Sequence, residues 1–325
     1  MTNDQPNQNQ APPSVRWRWL RFVTGPLVLV LFIIIAWRHL DELDRLKDVS
    51  PIAAGALALL FLAARAGHTL TFKLLLNRLG HYIGSGELFL LNILMAYTNL
   101  LVPRMGTGLP GVYLKYKHGV SFAQYGSLLL PIVVLHAISL GLLGLIGQTA
   151  LFWHSSEPIN PLVALLFAIT LAGGLTGFFL RIPIPQRWSG RFAHFFRRLL
   201  ASWQQLGTAR TTLAGVFSLR IVVLLFRVFG LQIAFWAIGQ EVPFLGVFVA
   251  TMLAEVAILA SITPAGLGLR EAAVAYSAAM LGCSPAMAIS AAVLDRIVAT
   301  ICVLAIAQLG MWKLIRPMGK INGNT

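Results

Sequence analysis

The stretch Pro264-Ala265-Gly266-Leu267-Gly268-Leu269-Arg270-Glu271 has the parts of an anion site. Pro264 breaks one helix. Gly266 and Gly268 leave backbone N–H groups uncovered just before the next helix starts. Unpaired N–H groups and the helix dipole both favour negative charge at such a start. Arg270 adds a planar guanidinium fork suited to phosphate. Glu271 can be stabilised by the same helix start, or can simply cap it.

Other charges lie in apolar surroundings. Glu255, Asp295 and Arg296 are three of them, and Arg220 and Arg227 sit seven residues apart, on one face of a predicted helix. A charge at mid-bilayer costs at least roughly 2.5–3.5 kcal/mol on insertion scales, so it is expected to face a partner or a cavity. If these groups share one cavity, four arginines (220, 227, 270 and 296) meet three carboxylates (255, 271 and 295). One positive charge is left over, which suits an anionic group. The other reading is mutual ion pairing that only holds a helix bundle together.

In the first half, Arg104 follows Pro103 and is the expected second anion contact. Lys115 and Lys117 read as markers of the membrane surface. Arg65 and His68 lie inside another apolar segment, and His136 inside a third, where it reads as a packing residue. The seven histidines have no metal-ligand spacing. Two cysteines, Cys283 and Cys302, suggest neither a disulfide framework nor a metal site. No phosphate-binding Gly loop, nucleophile elbow or hydrolase-like carboxylate pair is present. No cofactor is expected.

The elements that must position these residues are membrane helices. The chain has 325 residues, 57% of them hydrophobic and only 11% charged, with a mean hydropathy of +0.77. Soluble domains carry about 25% charged residues, so an ordinary soluble enzyme is excluded. The net charge of +14 would suggest nucleic acid in a soluble protein. Here the basic residues cluster between apolar segments, so they report orientation and anionic lipid surfaces, and no nucleic-acid partner is expected.

Six long apolar segments are predicted to span: 22–37, 51–76, 127–152, 161–180, 211–238 and 285–311. Two shorter pairs, 87–102 with 108–125 and 245–262 with 270–283, meet at Pro103 and Pro264 and read as re-entrant hairpins. Residues 1–21 read as a disordered cytoplasmic tail, 22–315 as the membrane domain and 316–325 as a second tail. The Arg-rich, acid-free 181–210 loop is expected in the cytoplasm, with both termini. The 153–160 and 239–244 loops are expected outside.

The two halves, 22–152 and 161–311, resemble each other. Pro103 and Pro264 are 161 apart, and Ser121 and Ser284 are 163 apart. With the charge-derived orientation, the hairpins enter from opposite sides. The fold expected is an all-α polytopic membrane protein of about six spans plus two broken-helix hairpins, arranged as an inverted repeat.

The stretch 264–271, then Gly282, Ser284 and Arg296, resembles the C-terminal signature of the lysylphosphatidylglycerol synthase transmembrane region, the flippase-like domain family. Asn99, Pro103, Arg104, Gly106, Gly119 and Ser121 match its first signature in part. Thr107 stands where the family usually has Glu. His136 and Ser139 stand near the places of an Arg and an Asp. The resemblance runs from about residue 20 to 315. It implies a lipid-handling domain of a bacterial inner membrane, here without the soluble aminoacyl transferase that its best-known members carry.

The expected function is translocation of an anionic phospholipid or lipid-linked sugar for envelope biosynthesis. Arg270 is expected to hold the phosphate, with help from the Gly268 helix start and from Arg104 or Arg227. Glu271, Glu255 and Asp295 are expected to position those arginines or to engage the headgroup. The alternatives are a membrane-embedded transferase, with Glu271 or Asp295 as its carboxylate, and a non-transporting subunit of an envelope lipid enzyme.

Overall fold

A computed structural model of the chain describes residues 49–101, 105–155, 159–179, 203, 209–260, 269–280 and 283–320. These residues form nine α-helices and one 3₁₀ turn: α1 Pro51–Arg78, α2 Ser85–Leu101, the turn Met105–Thr107, α3 Gly108–His118, α4 Phe122–Ser155, α5 Pro161–Phe179, α6 Arg210–Ala237, α7 Phe244–Ala260, α8 Leu269–Met280 and α9 Pro285–Lys320. Helices α1, α4, α5, α6 and α9 each contain a stretch long and apolar enough to cross a bilayer. Leu59, Val133, Ile146, Ile169, Ile301 and Leu309 are exposed on these helices, as lipid-facing positions must be. The first predicted span, 22–37, lies outside the described residues, as do the 1–21 tail and most of the 181–210 loop.

The element lengths repeat. Helices α1, α2, α3 and α4 have 28, 17, 11 and 34 residues, and α6, α7, α8 and α9 have 28, 17, 12 and 36. Equivalent starts lie 159 apart for α1 and α6 (51 and 210) and for α2 and α7 (85 and 244). They lie 163 apart for α4 and α9 (122 and 285). Both 28-residue helices end at a glycine with positive φ, Gly80 at 85° and Gly239 at 75°, a conformation that costs glycine little.

The operator relating the halves follows from the packing of α1 on α6. A Cβ at Gly67 would meet Val223 at 2.5 Å, and one at Gly215 would meet Leu74 at 3.4 Å. Rising numbers on one helix meet falling numbers on the other, so these equivalent helices are antiparallel. Only a twofold axis across them brings one onto the other. Helices that cross a bilayer run close to its normal, so that axis lies in the membrane plane and the repeat is inverted. Packing elsewhere obeys the same axis. Gly310 of α9 rests against Leu90 of α2, and its equivalent Gly147 of α4 rests against Val249 of α7. The broken hairpin of each half therefore packs on the long last helix of the other.

Each hairpin enters and leaves at one end. In the first, Glu87 at the start of α2 meets the end of α3. Its Oε1 accepts from Tyr113 Oη at 2.8 Å and lies 3.0 Å from Lys117 Nζ and 2.6 Å from His118 Nε2. Burial alone raises the Glu87 carboxyl, but the hydrogen bonds from His118, Lys117 and Tyr113 outweigh it and leave the group below its ordinary value. The second hairpin is closed by Val247, Val274 and Ala278, all buried in one apolar cluster. One predicted boundary shifts: the 108–125 segment is two helices, divided where Gly119 turns with φ 69°. Ser121 and Gln124 then form a reciprocal cap on α4, with N–H to side-chain oxygen distances of 2.9 and 3.2 Å.

Candidate functional site

The tip of the first hairpin is built by Asn99. Its Oδ1 accepts the Gly106 N–H at 2.8 Å. A Cβ at Gly106 would overlap the Met95 carbonyl and the Asn99 side chain, so only glycine fits. This turn forms part of the wall of a cavity of about 410 Å³. Phe61 and Arg65 of α1 line it, with Met95, Ala96, Asn99 and Leu100 of α2, Thr107, and His136 of α4. The second half contributes Arg227 of α6, Glu255, Ile258 and Leu259 of α7, Arg270 of α8, and Arg296, Ala299, Thr300 and Val303 of α9.

The cavity lies on the twofold axis. At an offset of 159, Ala96, Asn99 and Leu100 are equivalent to Glu255, Ile258 and Leu259, and all six line it. At 163, His136 is equivalent to Ala299, and both line it. Symmetry places the walls but not the charges. Ala96 answers Glu255, and Leu224 answers Arg65.

Three ion pairs surround the cavity. Arg270 Nη2 donates to Asp295 Oδ2 at 2.5 Å. Arg296 Nη1 donates to Glu271 Oε1. Both pairs span 25 residues and lock α8 to α9. Arg227 Nε lies 3.5 Å from Glu255 Oε1 and joins α6 to α7. Each carboxylate holds an arginine against a neighbouring helix, which offsets the cost of burying both charges.

Arg220 is placed differently from the expectation. It does not line the cavity. It is buried between α6 and α1, with Nη1 2.9 Å from His68 Nδ1. A guanidinium has no acceptor, so the His68 nitrogen accepts and the ring is neutral. Arg220 and Arg227 share a face of α6, two turns apart, but only Arg227 lines the cavity. Arg65 takes the vacated role. It lines the cavity from α1, stacked over Phe61 with Cζ 5.0 Å from the ring centroid, and Nη1 is 3.5 Å from Asn92 Oδ1. Arg104, Pro264, Gly266 and Gly268 lie outside the described residues. Among predicted residues, Arg227, Glu255, Arg270 and Arg296 line the cavity, and Glu271 and Asp295 hold two of them. Sequence reasoning did not assign Arg65, although a cation three residues before His68 in an apolar segment was the available signal.

Cationic forks over an apolar wall can bind an anionic group attached to an apolar body. The family model of the lysylphosphatidylglycerol synthase TM region matches residues 18–307. The chain belongs to this family. It is thus a multi-pass membrane protein of a lipid-related, flippase-like family, and the matched region contains both hairpins and the whole cavity wall. No curated protein matches the chain. No solved structure matches it.

Proposed function

We propose that the chain is a lipid translocator of the bacterial inner membrane, with both termini in the cytoplasm, moving an anionic phospholipid or a lipid-linked sugar for envelope biosynthesis. One observation carries this reading: a cavity rich in arginine lies on an in-plane twofold axis, between hairpins that enter from opposite faces. Such an axis gives two related routes to one site, the arrangement that alternating access requires. The cavity wall couples guanidinium groups to apolar side chains, as a headgroup joined to lipid tails needs. The expected cytoplasmic face carries Lys115 and Lys117 at one hairpin mouth, in keeping with the charge rule for orientation.

The carboxylates favour binding over catalysis. Glu255, Glu271 and Asp295 are each engaged by an arginine, which lowers their use as a base or nucleophile.

The test is photo-cross-linking of a phospholipid with a diazirine close to its headgroup, applied to the full-length protein in bilayer nanodiscs. Adducts are expected at cavity-wall residues such as Ile258, Ala299 and Thr300, and are lost in Arg270→Ala protein that still inserts and purifies as a single species. Adducts confined to the outer faces of α1, α5 and α9, unchanged by Arg270→Ala, would overturn the reading.

A further inference from the structure

Five arginines lie in the cavity wall or the seam beside it: Arg65, Arg220, Arg227, Arg270 and Arg296. They meet three carboxylates, Glu255, Glu271 and Asp295. His68 is neutral, as its hydrogen bond from Arg220 requires. Two positive charges are therefore left over among the described residues. Of the five arginines, the two outside these ion pairs are Arg65 on α1 and Arg220 on α6, with His68, the partner of Arg220, a turn beyond Arg65. The segments 102–104 and 261–268 contain no Asp or Glu.

One buried donor in the cavity wall also lacks an acceptor. Arg270 Nε, in the wall, is buried without a hydrogen-bond partner, as is Arg220 Nε in the seam behind it. Arg220 and Arg270 are only 3% and 8% exposed. Buried cations and buried N–H groups without partners are costly, and both costs fall when one compact anion supplies several acceptor oxygens. A phosphodiester brings one negative charge. A phosphomonoester or a diphosphate brings two or more at neutral or mildly alkaline pH, together with more free oxygens.

We infer that the cavity takes a dianionic phosphate group, a phosphomonoester or diphosphate, in preference to a phosphodiester. The inference rests on the binding role proposed above and narrows its substrate class. Arg65 and Arg220 supply the second charge, and the paired arginines supply directed N–H donors. Arg65 lines the cavity and touches the ligand. Arg220 acts from behind, through the field it adds and through its hold on His68.

The experiment is equilibrium binding of radiolabelled dioleoyl phosphatidic acid to the purified full-length protein at pH 8. Dioleoyl phosphatidylglycerol, which has the same tails on a phosphodiester, and inorganic pyrophosphate serve as competitors. Phosphatidic acid is expected to bind at least about tenfold more tightly than phosphatidylglycerol, with pyrophosphate competing weakly. Arg65→Gln and Arg220→Gln should each reduce that preference to about threefold or less, and Arg65→Lys should keep it, because the charge is retained. The Lys variant separates loss of charge from loss of fold. Equal binding of the two lipids would overturn the dianion inference and leave the lipid reading standing. Pyrophosphate competing as well as phosphatidic acid would keep the dianion and overturn the lipid reading. No binding of any probe would overturn both.

Discussion

At the residue scale, this membrane domain concentrates its buried charge in one place and leaves two positive charges over among the described residues. The Arg270–Asp295 pair shows what each carboxylate does. Removing one partner of a buried pair leaves the other charge uncompensated, at a cost of about 3–5 kcal/mol, whereas replacing both by apolar residues is often neutral. Asp295→Ala is therefore expected to lower unfolding stability in detergent by about that amount. The double variant Arg270→Met with Asp295→Leu should recover most of it, and failure of the double variant to recover would show that the pair is not an isolated unit. Glu87 gives a pH prediction. Its folded-state pKa lies below its ordinary 4.5. Its contribution to stability is thus complete above the ordinary value and is lost as pH falls through the lowered one. The Tm in detergent should drop as acid is added below about pH 4.5, and Glu87→Gln protein should show a smaller drop over that window.

The electrostatics of the cavity were only partly legible in the sequence. Arg227, Glu255, Arg270 and Arg296 announced themselves as charges in apolar segments. Their pairing did not, because it depends on where helices cross. Nor was it legible that Arg65 lines the cavity and Arg220, a candidate, lies behind it. Both lie on the α1–α6 pair, and only Arg65 lines the cavity.

At the element scale, small residues set the distances. Gly141 and Gly144 of α4 face α5, where a Cβ on Gly141 would lie 2.5 Å from the Leu171 nitrogen and one on Gly144 would overlap the buried Phe167 ring. Without a hydrophobic drive between helices in lipid, such close packing is a main source of their association. Gly144→Val is expected to lose about 1–3 kcal/mol through overpacking, read as a lowered Tm of the purified protein, while Gly173→Val, at an open position, should be neutral. The hairpins were legible because proline and glycine interrupt apolar runs at 103–106 and 264–268. The turn at 119–121 was harder to see. Apolar residues continue on both sides of it, so hydropathy joined two helices that Gly119 and the Ser121–Gln124 cap divide.

At the scale of the whole molecule, two halves of one design meet in antiparallel fashion and enclose a site that neither could form alone. The repeat was legible from the spacing of its prolines and serines. Its axis was not, because orientation had to be inferred from loop charge, whereas the α1–α6 contacts give it directly. Membrane sidedness follows as a prediction. Single cysteines placed at Gly84 and at Glu241, with Cys283 and Cys302 replaced, should react with an impermeant reagent from opposite sides of the membrane, Gly84 from the cytoplasm. Labelling of both from one side would contradict the inverted arrangement.

The most direct test of the central claim is lipid movement in proteoliposomes. Fluorescent phosphatidic acid and fluorescent phosphatidylglycerol would be incorporated separately, with an impermeant quencher reporting the outer leaflet. The account predicts that wild-type protein makes inner-leaflet phosphatidic acid accessible faster than phosphatidylglycerol, and that Arg65→Gln and Arg270→Ala slow it by about tenfold or more. Equal, slow leakage of both lipids with wild type and variants alike, in correctly inserted protein, would contradict it.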